Sequence, residues 1–205
     1  MISIYELKPR FQQLLRPLAT GLYRAGITAN GVTIAAMLAS MGYGGWLLLA
    51  PGSRWGWGLL PAFLFGRMAL NAVDGMLARE FGQQSKLGAL LNEGSDVVAD
   101  AALYAPFALL PGVYPGLVML VVFLAVLSEF IGVVGQVIGG GRRYDGPCGK
   151  SDRAFAFGAV ALLLGLGLQV APYLNYVFGA LTLLLIITVW NRGRQALRVA
   201  STLPA

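Results

Sequence analysis

An all-α integral membrane fold is predicted, with an N-terminal amphipathic surface helix followed by six transmembrane helices, and three features of the sequence predict it. Apolar residues make up 57% of the chain and charged residues only 12%, whereas soluble domains carry about 25% charged residues to keep their whole surface wetted. Six apolar stretches approach the roughly 20 helical residues that a bilayer core requires. The basic residues gather at the ends of these stretches, nearly all on one side. At 205 residues, the chain has room for one compact helical bundle.

The first element occupies residues 1–26. Ile4, Tyr5, Phe11, Leu14, Leu15, Leu18 and Leu22 recur at helical spacing, interleaved with Glu6, Lys8, Arg10, Arg16 and Arg24. With no uninterrupted apolar core and no small-residue cleavage site, the segment does not read as a signal peptide. It reads as an amphipathic juxtamembrane helix lying on the membrane surface, with an ordinary solvated helix as the alternative.

Residues 27–205 form the transmembrane domain, ending in a short tail. Spans are expected at about 30–50, 56–76, 88–111, 115–138, 153–171 and 173–192. The turns Pro51-Gly52-Ser53 and Pro111-Gly112-Val113-Tyr114-Pro115 make antiparallel hairpins of their neighbours. Only a turn near Pro172 separates the fifth span from the sixth. Gly44 and Gly45 suit helix packing, and Trp46, Trp55 and Trp57 suit the outer interface.

Charge sets the orientation. Lys8, Arg10, Arg16, Arg24, Arg79, Lys86, Arg142, Arg143, Lys150, Arg153, Arg192, Arg194 and Arg198 all fall on one side, and Arg54 on the other. The crowded side, with both termini, is the cytoplasmic one. The net charge of +6 is scattered and forms no stripe, which favours anionic membrane lipids over nucleic acid as partner. Cys148 is the single cysteine and there is no histidine, so acid–base or metal chemistry falls to carboxylates and amides.

Ionisable residues inside membrane helices are costly and point to function. They concentrate where the second span ends and the third begins, in a segment that runs Asn71, Asp74, Gly75, Ala78 and Arg79, then Gly88, Asn92, Glu93 and Asp96. Asn71 and Asp74 are three apart and Asn92 and Asp96 four apart, so each pair shares a helix face. Two such helices side by side gather four oxygen-bearing side chains, a donor set suited to Mg²⁺ or Mn²⁺ and, through the metal, to phosphates.

The same segment resembles the CDP-alcohol phosphotransferase signature Asp-x2-Asp-Gly-x2-Ala-Arg-x8-Gly-x3-Asp-x3-Asp. Its spacing is kept throughout, with Asn71 and Asn92 in place of two of the four aspartates. Ile27 to Thr33 also looks like the family's usual approach to the first span. The resemblance implies transfer of a phosphatidyl group from CDP-diacylglycerol to a small polar alcohol with release of CMP, in phospholipid biosynthesis. It also implies a divalent metal, a homodimer and a bacterial-type inner (plasma) membrane. Carried over by position, Asn71, Asp74 and Asn92 correspond to metal-holding positions. Asp96, also counted as a metal ligand, corresponds to the general base on the acceptor hydroxyl. Asp74, Gly75, Ala78, Arg79 and Gly88 line the nucleotide site.

The two amides lack the charge of carboxylates, and Glu93 and Asp100 are placed to compensate. Three readings stay open: an active enzyme with an altered metal site, a weakened or regulatory CDP-lipid-binding relative, and a chain whose two asparagines are not natural. Transfer of a CDP-linked headgroup to diacylglycerol is the alternative reaction, and the acceptor is not identified. Arg67, one turn before Asn71, is a partner for phosphates or for Asp100. Ser128-Glu129 partly matches an Arg-Glu pair common in the family's fourth span, with interhelical hydrogen bonding as the alternative. Lys150, Ser151 and Arg153, following the glycine-rich loop from Gly139 to Gly149, are candidates for acceptor binding, with topology anchoring as the competing role.

Overall fold

The computed structural model of the chain describes residues 4–202, with side chains from Phe11 onward. Residues 1–3 and 203–205, and the side chains of Ile4, Tyr5, Glu6, Lys8 and Arg10 in the expected surface helix, lie outside the described residues. Every described element is helical: α1 (Ile4–Arg24), α2 (Ala29–Leu49), α3 (Arg54–Glu80), α4 (Lys86–Tyr104), a 3₁₀ turn (Ala105–Leu109), α5 (Pro115–Val137), α6 (Lys150–Gly165) and α7 (Ala171–Ala200). Three of them, α2, α5 and α7, are long and apolar enough to cross a membrane by length and composition. In α3 and α4 the run is interrupted by Arg67, Asp74, Glu93, Asp96 and Asp100, and α6 has 16 residues.

Local chemistry accounts for most of the helix ends. Thr28 Oγ1 accepts from the Gly31 N–H (3.1 Å), Ser53 Oγ from Gly56 (3.1 Å) and Ser85 Oγ from Gly88 (2.9 Å), so α2, α3 and α4 each begin on a hydroxyl cap. Pro115 opens α5, and Tyr114 before it is held extended at φ −76°, ψ 109°, as a residue preceding proline must be. Pro106, which has no N–H to donate, marks where α4 gives way to the 3₁₀ turn. α1 and α6 end alike. Gly26 and Gly167 take positive φ, and Ile27 and Leu168 donate back to Leu22 and Leu163 (both 3.0 Å), closing the last turn in a Schellman arrangement. α6 therefore stops at Gly165, well short of the expected residue 171, while α7 continues past 192 to Ala200.

The chain forms two compact units, residues 1–42 with 62–99 and residues 43–61 with 100–205. In the first, Ala19, Ala29, Val32, Val73, Met76 and Leu77 form the core, with Leu15, Leu22, Leu70, Ala78 and Phe81 packed against it. Leu15 and Leu22 thus turn inward from α1, while Leu14 is 78% exposed. Gln83 Oε1 accepts from the Ala29 N–H at 2.7 Å and ties the α3–α4 loop to the start of α2.

In the second unit α5 packs along α7. Its centre is aromatic: Tyr104 stacks on Phe157 with centroids 4.0 Å apart, and Phe107 meets Trp57, Phe157 and Phe178 edge-on. Trp57, expected at the outer interface, lies in this core, its indole N–H donating to the Pro51 carbonyl at 2.7 Å. Trp46 and Trp55 are exposed. Asn175 of α7 accepts from the Tyr114 N–H and donates to the Gly112 carbonyl, fastening the turn before α5.

Of the two adjacent glycines in α2, only Gly44 is a packing requirement. A Cβ there would overlap the Ala102 carbonyl oxygen, whereas at Gly45 it would meet open space. Gly44→Ala is therefore expected to destabilise the protein by about 1–3 kcal/mol and Gly45→Ala to leave it unchanged. Thermal unfolding in detergent checks this, and equal effects at the two positions would contradict the assigned contact.

Candidate active site

The signature residues of the first unit lie on α3 and α4, and a side-chain bond between Asn71 and Asp96 joins the two helices. Asn71 Nδ2 donates to Asp96 Oδ1 at 2.9 Å. The Arg67 guanidinium, 5% exposed, donates to the same oxygen and to the Asp96 backbone carbonyl, both at 3.3 Å. Asp96 is thereby oriented by an amide and a cation one helical turn apart on α3.

Asp74 is buried, and its Oδ2 lies 2.7 Å from Thr33 Oγ1 of α2. Thr33 is also 3.0 Å from the Ala29 carbonyl. The hydroxyl has one proton, which goes to the charged acceptor. Thr33 and Asn30 are the residues that sequence reasoning passed over, although both belong to the segment before the first span that it had noticed.

The small residues have definite neighbours. A Cβ at Gly75 would come within 2.9 Å of the Arg79 guanidinium, so glycine lets Arg79 fold back over α3. A Cβ at Gly88 would come within 2.8 Å of Asn30 Oδ1, so what Gly88 admits here is the start of α2. Ala78 packs against the core. Asn92 is exposed, its carbonyl accepting from Ser95 Oγ at 3.1 Å, and Glu93 is half-buried.

Among the described residues, no group of three or more His, Cys, Asp or Glu could hold a metal ion. The candidate donors are instead two carboxylates, Asp74 and Asp96, and two amides, Asn71 and Asn92. These are oxygen donors of the kind Mg²⁺ and Mn²⁺ prefer. Because Asn71 commits its Nδ2 to Asp96, its Oδ1 is the atom a cation would take. The set fits one divalent cation by charge.

In the second unit, Glu129 of α5 is the hub of a second ionic group. Its Oε1 binds Arg153 at 2.9 Å, and its Oε2 binds Arg142 at 2.8 Å and Arg192 at 3.3 Å. Arg153, 1% exposed, also binds Asp100 at 3.1 Å and Ser128 Oγ at 3.4 Å. Arg192 donates to the Ser128 carbonyl at 2.6 Å. The guanidinium of Arg153, a candidate acceptor ligand, is thus engaged with carboxylates, while Lys150 is half-buried and Ser151 exposed at the start of α6. Sequence reasoning treated Arg142 and Arg192 as topology anchors. The signal that could have found them is Glu129 itself, since a carboxylate inside an apolar helix needs counter-charges.

The glycine-rich loop is laid against α5 and α7. At Gly132 a Cβ would overlap the Arg142 guanidinium, at Gly140 it would come within 2.6 Å of the Ala196 carbonyl oxygen, and at Gly146 (φ +118°) within 2.6 Å of Thr188 Cα. Arg143 grips Asp145 through two bonds, at 2.8 and 2.9 Å, which hold that carboxyl below its ordinary range. The Cys148 N–H donates to Thr188 Oγ1 at 3.0 Å. Its thiol is 1% exposed and burial pushes its pKa up, and both effects suppress thiolate chemistry. Cys148 is therefore expected to resist maleimide at neutral pH in the folded protein and to react on denaturation. Rapid native labelling, followed by mass spectrometry, would mean that the loop does not bury it.

Fold and sites together define a helical membrane protein with one polar site spanning α3 and α4 and a buried ionic hub on α5. The sequence matches the CDP-alcohol phosphatidyltransferase family over residues 26–190, and the chain belongs to that family. Membership places it among the transferases of phospholipid synthesis. It is 45% identical over 200 residues to the inner membrane protein YnbA of Escherichia coli K12, covering 98% of this chain and 99% of that one. It is 30% identical over 178 residues to the phosphatidylinositol phosphate synthase of Mycolicibacterium smegmatis, covering 84% and 77% of the two chains. The fold is similar to that of Mycobacterium tuberculosis phosphatidylinositol phosphate synthase. The crystal structure with manganese and citrate gives a TM-score of 0.73 at 21% identity, covering 92% of this chain and 90% of that one. The structure with CDP-DAG bound gives 0.71 at 20% identity, covering 94% and 96%.

Proposed function

We propose that the chain transfers a phosphatidyl group from CDP-diacylglycerol to a small polar alcohol, releasing CMP. The observation that carries this reading is the clasp on Asp96, where Arg67 and Asn71 of α3 hold the side chain of α4 in place. A relative with CDP-DAG bound and a similar fold supports the choice of donor.

In this reading the acceptor hydroxyl loses its proton to Asp96 as its oxygen bonds to the lipid-linked phosphorus. The bond from that phosphorus to the CMP oxygen breaks, and CMP leaves with the electron pair. Asp74, fixed by Thr33, faces the donor diphosphate together with the amides of Asn71 and Asn92, and Arg79 supplies positive charge to it. A Mg²⁺ or Mn²⁺ ion held by Asp74, Asp96, Asn71 and Asn92 would neutralise charge on the diphosphate when bound. Lys150 and Ser151 are the acceptor candidates, with Arg153 behind them. The protein would work as a six-span homodimer in a bacterial-type inner membrane, α1 on its surface and site and termini cytoplasmic, in keeping with the basic residues crowded on one side.

The test is CMP release by purified protein in lipid with CDP-diacylglycerol, Mg²⁺ or Mn²⁺ and a panel of alcohols, with and without phosphate. Acceptor-dependent release that disappears in Asp96→Ala establishes the reaction and its acceptor. The two amides favour a second reading, a CDP-lipid-binding protein without turnover. CDP-lipid binding with no release for any acceptor or metal would select it.

A further inference from the structure

We propose that this active site holds one divalent cation and that the buried guanidinium of Arg67 supplies a second, permanent positive charge beside it. The inference rests on the reading of the site as a CDP-diphosphate site, and it concerns how this particular chain balances charge there.

Charge counting leads to it. A signature with four aspartates carries four negative charges and would neutralise two divalent cations. Here Asn71 and Asn92 leave two carboxylates, Asp74 and Asp96, enough for one. Before the donor diphosphate binds, a second divalent ion would leave the pocket strongly positive, because Arg67 is already present and nearly buried. Hydrogen-bond directions agree. Asp96 Oδ1 accepts from Asn71 Nδ2 at 2.9 Å and from Arg67 at 3.3 Å, so the side chain at a metal-holding position of the signature donates to the base where an aspartate could only accept. Asp74 Oδ2 likewise accepts from Thr33 at 2.7 Å. An N–H and a guanidinium on one oxygen of Asp96, and a hydroxyl on one oxygen of Asp74, leave each carboxylate less to offer a second ion. Arg67 is locked by two bonds to residue 96. A cation fixed in this way needs no reorganisation to stabilise charge on the diphosphate.

The experiment counts ions. Mn²⁺ bound by the protein in nanodiscs is titrated by electron paramagnetic resonance, with and without CDP, and CDP affinity is measured by calorimetry. The wild type is expected to saturate at one Mn²⁺ per chain, and Asn71→Asp with Asn92→Asp to gain a second. Arg67→Met is expected to keep one ion but lose about 10-fold or more in CDP affinity, and Arg67→Lys to recover most of it. Two ions, or none, on the wild type would overturn the proposal whether or not the Arg67 variants fold. So would CDP affinity that is unchanged in Arg67→Met. Failure of the enzymatic reading looks different: one Mn²⁺ and normal CDP binding, with no CMP released to any acceptor.

Discussion

Asp96→Asn is expected to lower acceptor-dependent CMP release by about 10²- to 10⁴-fold, the usual contribution of a positioned general base, while CDP binding measured without metal stays within a few-fold. The substitution is nearly isosteric. A carbonyl oxygen at position 96 still accepts from Asn71, and Arg67 keeps its bond to the backbone carbonyl. What disappears is one of the two negative charges available to a cation and the capacity of position 96 to take up a proton. Release measured at saturating donor, beside a CDP titration, separates the two effects. Near-normal turnover in Asp96→Asn would place proton acceptance elsewhere and remove Asp96 from the mechanism. Parallel loss of turnover and CDP binding would point to a collapsed site.

Glu129→Gln is expected to have the largest effect on stability. One carboxylate, 12% exposed, serves Arg142, Arg153 and Arg192, and Asp100 is left to balance Arg153. Removing one partner from a buried ionic group costs about 3–5 kcal/mol, because the charges left behind stay out of water. In the membrane reading there is no nearby water to relieve them. The thermal midpoint in detergent should fall sharply, and Glu129→Gln combined with Arg142→Met should recover part of the loss by removing one uncompensated guanidinium. A wild-type midpoint in Glu129→Gln would mean that the hub is solvated and stabilises nothing.

The local features of this protein were legible because they are written in neighbouring residues. Thr28, Ser53 and Ser85 cap the helices they precede, Pro115 starts one, and apolar stretches mark the others. The resemblance between residues 71 and 96 and a known signature identified the family, which the match over residues 26–190 bears out. The glycine-rich loop was harder. Its composition reads as freedom, yet at Gly140 and Gly146 side chains would collide with Ala196 and Thr188, and at Gly132 of α5 one would collide with Arg142 of the loop. Trp57 was placed by its indole at an interface, and the structure fills the aromatic core with it.

The sequence by itself determined the helical class, the approximate position of each helix, the family, and the candidate polar residues on α3 and α4. These follow from hydropathy, spacing and capping, which act over a few residues along the chain. Only the tertiary structure decided that Arg67 and Asn71 clasp Asp96, that Thr33 supports Asp74, and that Glu129 meets three arginines from positions 142, 153 and 192. A buried charge fixes the need for partners but not which of many basic residues will supply them. That choice depends on which helix faces which, a property of packing across distances in sequence that no local pattern encodes.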